Sequence, residues 1–204
     1  MLGYPIAGAN GDLRPGHRRY NLVWYRPANE AAELKRLLTD ETGTYHPMGI
    51  PPGLIRAEAI AEMRAVAREK IAPQLREIVE LIETPFLQSV VDMNSDSVVS
   101  GRVIILGDAA FLARPHLGMG VTKASGDALL LTELLSTFPG DITHALRVFN
   151  AERCRYGRYL THHARLLGSQ MKQTYTSEAE RQVAEFYRNP ETCLRKISLP
   201  PDPP

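Results

Sequence analysis

The chain has 204 residues, 44% of them hydrophobic, which is enough apolar material for one domain or two small ones with a real core. Its 24 Lys and Arg nearly balance its 23 Asp and Glu, so the total charge gives no reason to expect a nucleic acid or an anionic membrane surface as partner. Chemistry on a small molecule is favoured instead.

The two cysteines, Cys154 and Cys193, are too few and too far apart to predict a disulfide framework or a metal cluster. The first residues lack the basic and apolar regions of a signal peptide, and no stretch reaches the length of a membrane-spanning helix. We therefore expect a cytoplasmic protein that binds no metal.

The first hundred residues predict short strands, amphipathic helices and one long loop. The loop covers residues 39–53 and is rich in Pro and Gly, and loops of this length are often functional. His46 lies within it, either as a substrate contact or as a solvated side chain. The apolar patterns predict strands at 2–7, 18–25 and 85–91 and helices at 29–38, 57–71 and 73–83.

The segment from Arg102 to Leu135 carries the strongest pattern in the chain. Val103 to Leu106 is a short apolar run rich in β-branched residues, which is typical of a strand buried on both faces. Apolar residues at helical spacing then predict a helix that begins just after Gly118-Met119-Gly120. Its apolar face is expected to comprise Val121, Ala124, Ala128, Leu131 and Leu135.

Asp108 follows the predicted strand and the glycine that ends it. In open α/β sheets, ligands bind at the carboxyl ends of strands, so this carboxylate is expected either to contact a ligand or to cap a helix. Gly118 and Gly120 would let the backbone approach a ligand closely, and the free N–H groups of the next helix would favour an anion there. An ordinary α/β domain with a helix-capping Asp108 is the alternative interpretation.

These residues together resemble the second flavin-binding motif of the FAD-dependent aromatic hydroxylases, the para-hydroxybenzoate hydroxylase superfamily. The motif consists of Gly107-Asp108-Ala-Ala, Pro115, Gly118-Met119-Gly120 and Asp127-Ala128. The sequence Ala-Arg-Pro-His at 113–116 is most similar to the 2,6-dihydroxypyridine hydroxylase-like members. A looser resemblance extends from about Tyr4 to about Leu167.

The resemblance implies a role for each residue of the motif. Asp108, beside Gly107, would accept hydrogen bonds from the ribityl hydroxyls of FAD, and Pro115 would lie against the isoalloxazine ring. The backbone of Leu117, Gly118, Met119 and Gly120 would face the pyrimidine edge of the ring, where the helix N-terminus stabilises the negative charge of reduced flavin.

Other positions depart from the family or are assigned less directly. Phe111 stands where many relatives have His, and Lys123 where many have Asn or Gln, so neither receives the usual role of its position. His116 is the candidate general base, or else it only packs or hydrogen-bonds beside the flavin. Arg19 and Asn21 are implied near the substrate, or else they belong to an ordinary edge hairpin.

The implied fold is α/β (α+β), a partial flavin-hydroxylase fold. Residues 1–100 would form part of the substrate-binding domain, and 101–188 the last strand and helices of the FAD-binding domain. A long helix is expected over 141–171, and a disordered tail over 189–204.

The implied activity is hydroxylation of an aromatic or N-heteroaromatic ring, with FAD as cofactor, NADPH or NADH as reductant and O₂ as oxidant. The family binds the ADP half of FAD through a Gly-x-Gly-x-x-Gly turn that this sequence does not contain. We therefore expect weak FAD binding by this chain alone, with a separate N-terminal half as a possible partner. A non-catalytic remnant or interaction module and an unrelated α/β protein remain as alternatives.

Overall fold

The computed structural model describes residues 1–169, 175, 177–189 and 191–192. The chain divides into two compact units, Met1–Ser89 and Val90–Pro204. Helices and strands are mixed, as predicted, and the strands of the described residues form four two-stranded sheets. Cys154 is a buried free thiol, whereas Cys193 and nearly all of the predicted tail lie outside the described residues.

The first unit opens with the predicted hairpin. Strand β1 (Leu2–Ile6) pairs antiparallel with β2 (Arg19–Val23), with Leu2 opposite Val23 and Ile6 opposite Arg19. The connection contains a 3₁₀ turn at Ala9–Gly11, and the Asp12 carboxylate there accepts hydrogen bonds from the Arg14 backbone and guanidinium. This local charged turn fixes the register of the two strands.

The helices of the first unit lie within their predicted ranges. A π-helical turn at Glu30–Leu34 leads into the α-helical turn α1 (Lys35–Leu37), and two longer helices follow, α2 (Ala57–Lys70) and α3 (Pro73–Glu80). The Asn29 side chain caps the first turn by accepting a hydrogen bond from the Ala32 N–H.

The strand predicted at 85–91 is much shorter than expected. Only β4 (Leu87–Gln88) forms, paired antiparallel with β3 (Gly49–Ile50) in the predicted loop. Pro51 and Pro52 follow β3 directly and carry no N–H, so the ladder has no donor with which to continue.

The described part of the second unit contains two strand pairs and three α-helices. Strand β5 (Met93–Asn94) pairs with β8 (Phe111–Leu112), and β6 (Val99–Ser100) with β7 (Val103–Ile104). Helix α4 (Gly120–Thr137) packs along α5 (Ile142–Gly168), and α6 (Glu178–Tyr187) packs on α5. Helices α4 and α5 thus begin and end within a few residues of the positions predicted from the sequence.

The prediction that Val103 to Leu106 forms a strand buried on both faces is wrong. Strand β7 ends at Ile104, after which the Ile105 N–H still donates to the Val98 carbonyl at 3.0 Å. Val103 is 68% exposed. Burial on both faces requires neighbouring strands and a layer on each side, but β7 has only β6 as a strand partner within the described residues. Ile104, Ile105 and Leu106 pack from one side against a core cluster that includes Phe111 and Phe149.

The predicted apolar face of α4 is also only partly correct. Val121 is 83% exposed, and Ala128 and Leu135 are exposed too. The buried residues of α4 are Lys123 and Asp127, because they form a charged cluster with groups outside the helix. Apolar periodicity cannot detect a buried face that contains paired charges.

Candidate functional site

Asp108 lies in a 3₁₀ turn, Gly107–Ala109, between β7 and β8. Gly107 has a φ of +59°, and a Cβ there would lie 3.3 Å from the Ala124 Cβ, so the turn packs closely on α4. Asp108 is exposed and accepts no hydrogen bond from any residue that the structure describes. Its carboxylate is therefore available to a ligand.

The buried carboxylate of Asp127 fixes this turn. Its Oδ2 accepts a hydrogen bond from the Gly107 N–H at 2.9 Å, and its Oδ1 accepts one from Arg153 Nη1 of α5 at 3.2 Å. Lys123 Nζ lies 3.9 Å from Asp127 Oδ2. We call Asp127, Lys123 and Arg153 the Asp127 cluster; it ties the turn that presents Asp108 to both long helices.

The loop between β8 and α4 leaves an open surface at the helix N-terminus. Pro115–Leu117 forms a 3₁₀ turn, after which Gly118 takes the left-handed conformation at φ +65°. No described atom outside the chain neighbours lies within 4 Å of a Cβ built at Gly118 or Gly120. The N-cap residue of α4, Met119, provides no side-chain cap, so the helix's first N–H groups lack a side-chain acceptor there.

A second buried carboxylate holds the start of this loop. Asp92 is 5% exposed at its side chain, and its Oδ2 accepts hydrogen bonds from Arg114 Nε at 2.9 Å and from Arg165 Nε of α5 at 3.1 Å. We call these three residues the Asp92 cluster. It fastens the segment that contains Pro115 to α5.

His116 is half-buried between this loop and the end of α5. A Cβ at Gly168 would overlap the imidazole, so the ring packs directly on the α5 backbone. Burial lowers the pKa of His116, the Arg114 charge lowers it further, and the Asp92 charge opposes the shift. The imidazole is therefore neutral near pH 7, the form that can accept a proton.

Leu117 and Phe111, which lie between the motif residues, have their side chains in the core. Leu117 is buried in a cluster with Leu160, Ala164 and Leu167 of α5, so only its backbone can face a ligand. Phe111 is buried against Gly157, where a Cβ would overlap its ring. Phe111 therefore has a packing role at the position where many relatives have His.

Arg19 and Asn21 lie on β2 in the first unit. The Arg19 guanidinium is exposed and donates from Nε to the Ala7 carbonyl at 3.2 Å, and Asn21 is half-buried. A substrate role for them remains a prediction.

Among the described residues there is no group of three or more His, Cys, Asp or Glu side chains suited to a metal ion. No described helix is long and apolar enough to cross a membrane.

The residues that hold the site in place are not evident from the sequence. Neither Asp92 nor Arg153 lies in a motif of the sequence, yet Asp92 forms an ion pair with Arg114 and Arg153 forms one with Asp127. Asp127 is the one residue whose role in holding the site is indicated by the sequence. It lies in a helix with an otherwise apolar pattern, so its carboxylate is expected to be buried and to require a cation nearby.

Comparison with known proteins connects this geometry to flavoenzymes. The chain is 27% identical over 172 residues to 2,6-dihydroxypyridine 3-monooxygenase of Paenarthrobacter nicotinovorans, covering 84% of this chain and 42% of that protein. Its fold matches the structure of 2,6-dihydroxypyridine-3-hydroxylase from Arthrobacter nicotinovorans with a TM-score of 0.71 and 26% identity, covering 87% of this chain and 45% of that one.

The chain is similar in sequence and in fold to FAD-dependent aromatic hydroxylases.

Two further comparisons agree with this. Residues 1–92 match the family model described as FAD binding domain-like. Klebsiella pneumoniae HpxO, solved with FAD and uric acid, matches with a TM-score of 0.52 and 25% identity over 70% of this chain and 39% of that one. The chain spans less than half the length of these flavin-hydroxylase relatives, and its fold corresponds to part of theirs.

Proposed function

We propose that this chain supplies the ring- and ribityl-binding part of an FAD-dependent monooxygenase. The complete enzyme would hydroxylate an aromatic or N-heteroaromatic ring in the cytoplasm, with NADPH or NADH as reductant and O₂ as oxidant. The observation that carries the proposal is the exposed Asp108 carboxylate, which is held in a fixed turn on α4 and accepts no hydrogen bond from the described residues.

The residues present fit a flavin. A ribityl chain offers hydroxyl donors to a carboxylate such as Asp108, and the open backbone at Gly118 and Gly120 admits a flat ring. The N-terminus of α4 favours a negative charge, and Lys123 adds a buried ammonium without a hydrogen-bond acceptor among the described residues. Asp108 thus favours the hydroxyl donors of the ligand, whereas the helix N-terminus and the ammonium favour a partly anionic ring.

In this proposal the chain positions its ligands and excludes water. Asp108 would hold the ribityl hydroxyls, Pro115 would limit the ring on one face, and the backbone of 117–120 would face its pyrimidine edge. A bound flavin would accept hydride from the nicotinamide and use O₂ to hydroxylate the substrate. Neutral His116 could accept a proton from the substrate. A substrate role for Arg19 and Asn21 is a separate proposal that rests on the resemblance alone.

A non-catalytic remnant or interaction module is the second candidate. The sequence lacks the Gly-x-Gly-x-x-Gly turn that would bind the ADP half of FAD. In the monooxygenase proposal a separate N-terminal half, or a longer form of the chain, supplies this turn. In the remnant proposal the site has lost its ligand.

Titration of the isolated chain with riboflavin, FMN and FAD tests the proposal. We expect all three to bind weakly and with similar affinity, because they share the ring and ribityl chain and the ADP half finds no turn to bind. NADPH should not be oxidised above background in the same samples. Binding of none of the three would favour the remnant, and much tighter binding of FAD than of riboflavin would place an adenine site in this chain.

A further inference from the structure

The ammonium of Lys123 is buried beside the Asp127 carboxylate but is not hydrogen-bonded to it. Its side chain is 3% exposed, and Nζ makes no hydrogen bond to any residue in the part of the chain that the structure describes. Asp127 Oδ2, at 3.9 Å, is beyond hydrogen-bond distance. Burial lowers the pKa of Lys123, while the carboxylates of Asp127 and Asp108 oppose that shift.

Asp127 does not require Lys123 as its counter-ion. Its two oxygens already accept from the Gly107 N–H at 2.9 Å and from Arg153 Nη1 at 3.2 Å. A buried ammonium that is not hydrogen-bonded costs stability, and such groups persist mainly where function needs them. An acceptor supplied by a ligand would account for a lysine at this position.

The position of Lys123 in the fold indicates which ligand that is. Its backbone N–H donates to the Met119 carbonyl at 2.8 Å, so it belongs to the first turn of α4, directly after the open Gly118–Gly120 backbone. Helix α4 thus has two sources of positive potential in its N-terminal half: its first N–H groups and the ammonium of Lys123, whose Nζ lies 3.9 Å from Asp127 Oδ2 one turn further along.

We propose that Lys123 tunes the redox preference of the site by favouring reduced, anionic flavin over oxidised flavin. This inference rests on the proposed function and deepens it. Reduced flavin carries a negative charge at its pyrimidine edge that oxidised flavin lacks, so a buried cation near α4's N-terminus discriminates between the two forms. By linkage, tighter binding of the reduced form raises the reduction potential of the bound flavin.

The test compares oxidised and dithionite-reduced FAD in anaerobic titrations of wild type, Lys123→Met and Lys123→Gln. Methionine keeps the unbranched stem without the charge, and glutamine keeps a polar end without the charge. We expect the ratio of dissociation constants, oxidised over reduced, to fall about tenfold in both variants, equivalent to about 30 mV for a two-electron couple. The control Arg158→Met removes an exposed charge from α5 and should leave the ratio unchanged.

Thermal melts separate this role from a structural one. If Lys123 is retained for a ligand, Lys123→Met should melt at the same temperature as wild type or at a higher one, because the substitution removes a buried charge that has no hydrogen bond. An unchanged ratio in variants that still bind oxidised FAD would overturn the inference and leave the proposed function standing. A lower melting temperature with an unchanged ratio would make Lys123 structural. Wild-type protein that binds neither form would overturn both.

Discussion

Buried carboxylates stabilise turns in both units of this protein. Asp40 is the example in the first unit, where its Oδ1 accepts from the Thr42 N–H, the Thr42 hydroxyl and the Thr44 N–H at 2.7–2.9 Å. Its Oδ2 lies 2.7 Å from His46 Nε2. His46 is therefore neither a fully solvated side chain nor a demonstrated substrate contact; it completes a hydrogen-bonded loop.

This loop predicts a specific pH dependence of stability. Hydrogen bonds, first from His46 and then from Thr42, hold the pKa of Asp40 well below its usual range. Because the folded pKa is lowered, the carboxylate's contribution is complete above its ordinary pKa of about 3.9 and is lost as the pH falls below that value. Asp40→Asn should therefore lower the free energy of unfolding at pH 7, and the deficit should shrink towards pH 3.

Urea unfolding at pH 7, 5 and 3 measures this deficit. Glu41→Gln is the matched control, since it neutralises the neighbouring exposed carboxylate. A deficit of equal size at pH 7 and pH 3 would mean that the charge of Asp40 does not stabilise the loop.

The residues that hold the candidate site could be predicted only in part. Asp108, Gly118 and Gly120 are evident from sequence because a carboxylate and glycines in this spacing are characteristic of the flavin-binding motif. The arginine partners of Asp92 and Asp127 lie 22 to 73 residues away along the chain, and only the fold brings them together.

At the scale of elements, helix α5 forms the wall on which the motif segment packs. Its glycines allow this contact, since Gly157 lies under the Phe111 ring and Gly168 under the His116 ring. The periodicity of α4 and α5 predicts both helices correctly because it depends on local spacing. The predicted burial of β7 is wrong because burial depends on neighbouring strands, and an apolar run does not show which strands lie beside it.

Gly157→Ala tests this packing. Alanine favours a helix interior by about 1 kcal/mol over glycine, yet the added methyl would overlap the buried Phe111 ring, and overpacking costs about 1–3 kcal/mol. We expect a net loss in the free energy of unfolding by urea denaturation. Gly126→Ala in α4 is the control, because its Cβ meets no described atom within 4 Å, and it should raise stability by about 0.5–1 kcal/mol. Equal stabilisation by both substitutions would contradict the packing argument.

At the scale of the whole molecule, the flavin-binding motif predicts the fold better than the apolar strand patterns do. The 107–120 segment predicted a flavin-hydroxylase relationship, which the sequence and structural comparisons support. It remains a prediction that residues 1–100 belong to a substrate domain and residues 101–188 to an FAD domain. Along the chain, the boundary between the two compact units falls between Ser89 and Val90.

The central claim is that Asp108 binds flavin, and FAD titration of wild type, Asp108→Ala and Asp108→Asn tests it most directly. Charge-assisted hydrogen bonds from ribityl hydroxyls are worth roughly 1.5–3 kcal/mol, so Asp108→Ala should weaken FAD binding by about one to two powers of ten. Asp108→Asn should lose less, because its amide oxygen still accepts. The control Asp96→Ala removes another exposed carboxylate and should bind like wild type. Unchanged affinity in an Asp108→Ala protein that melts like wild type would contradict the account.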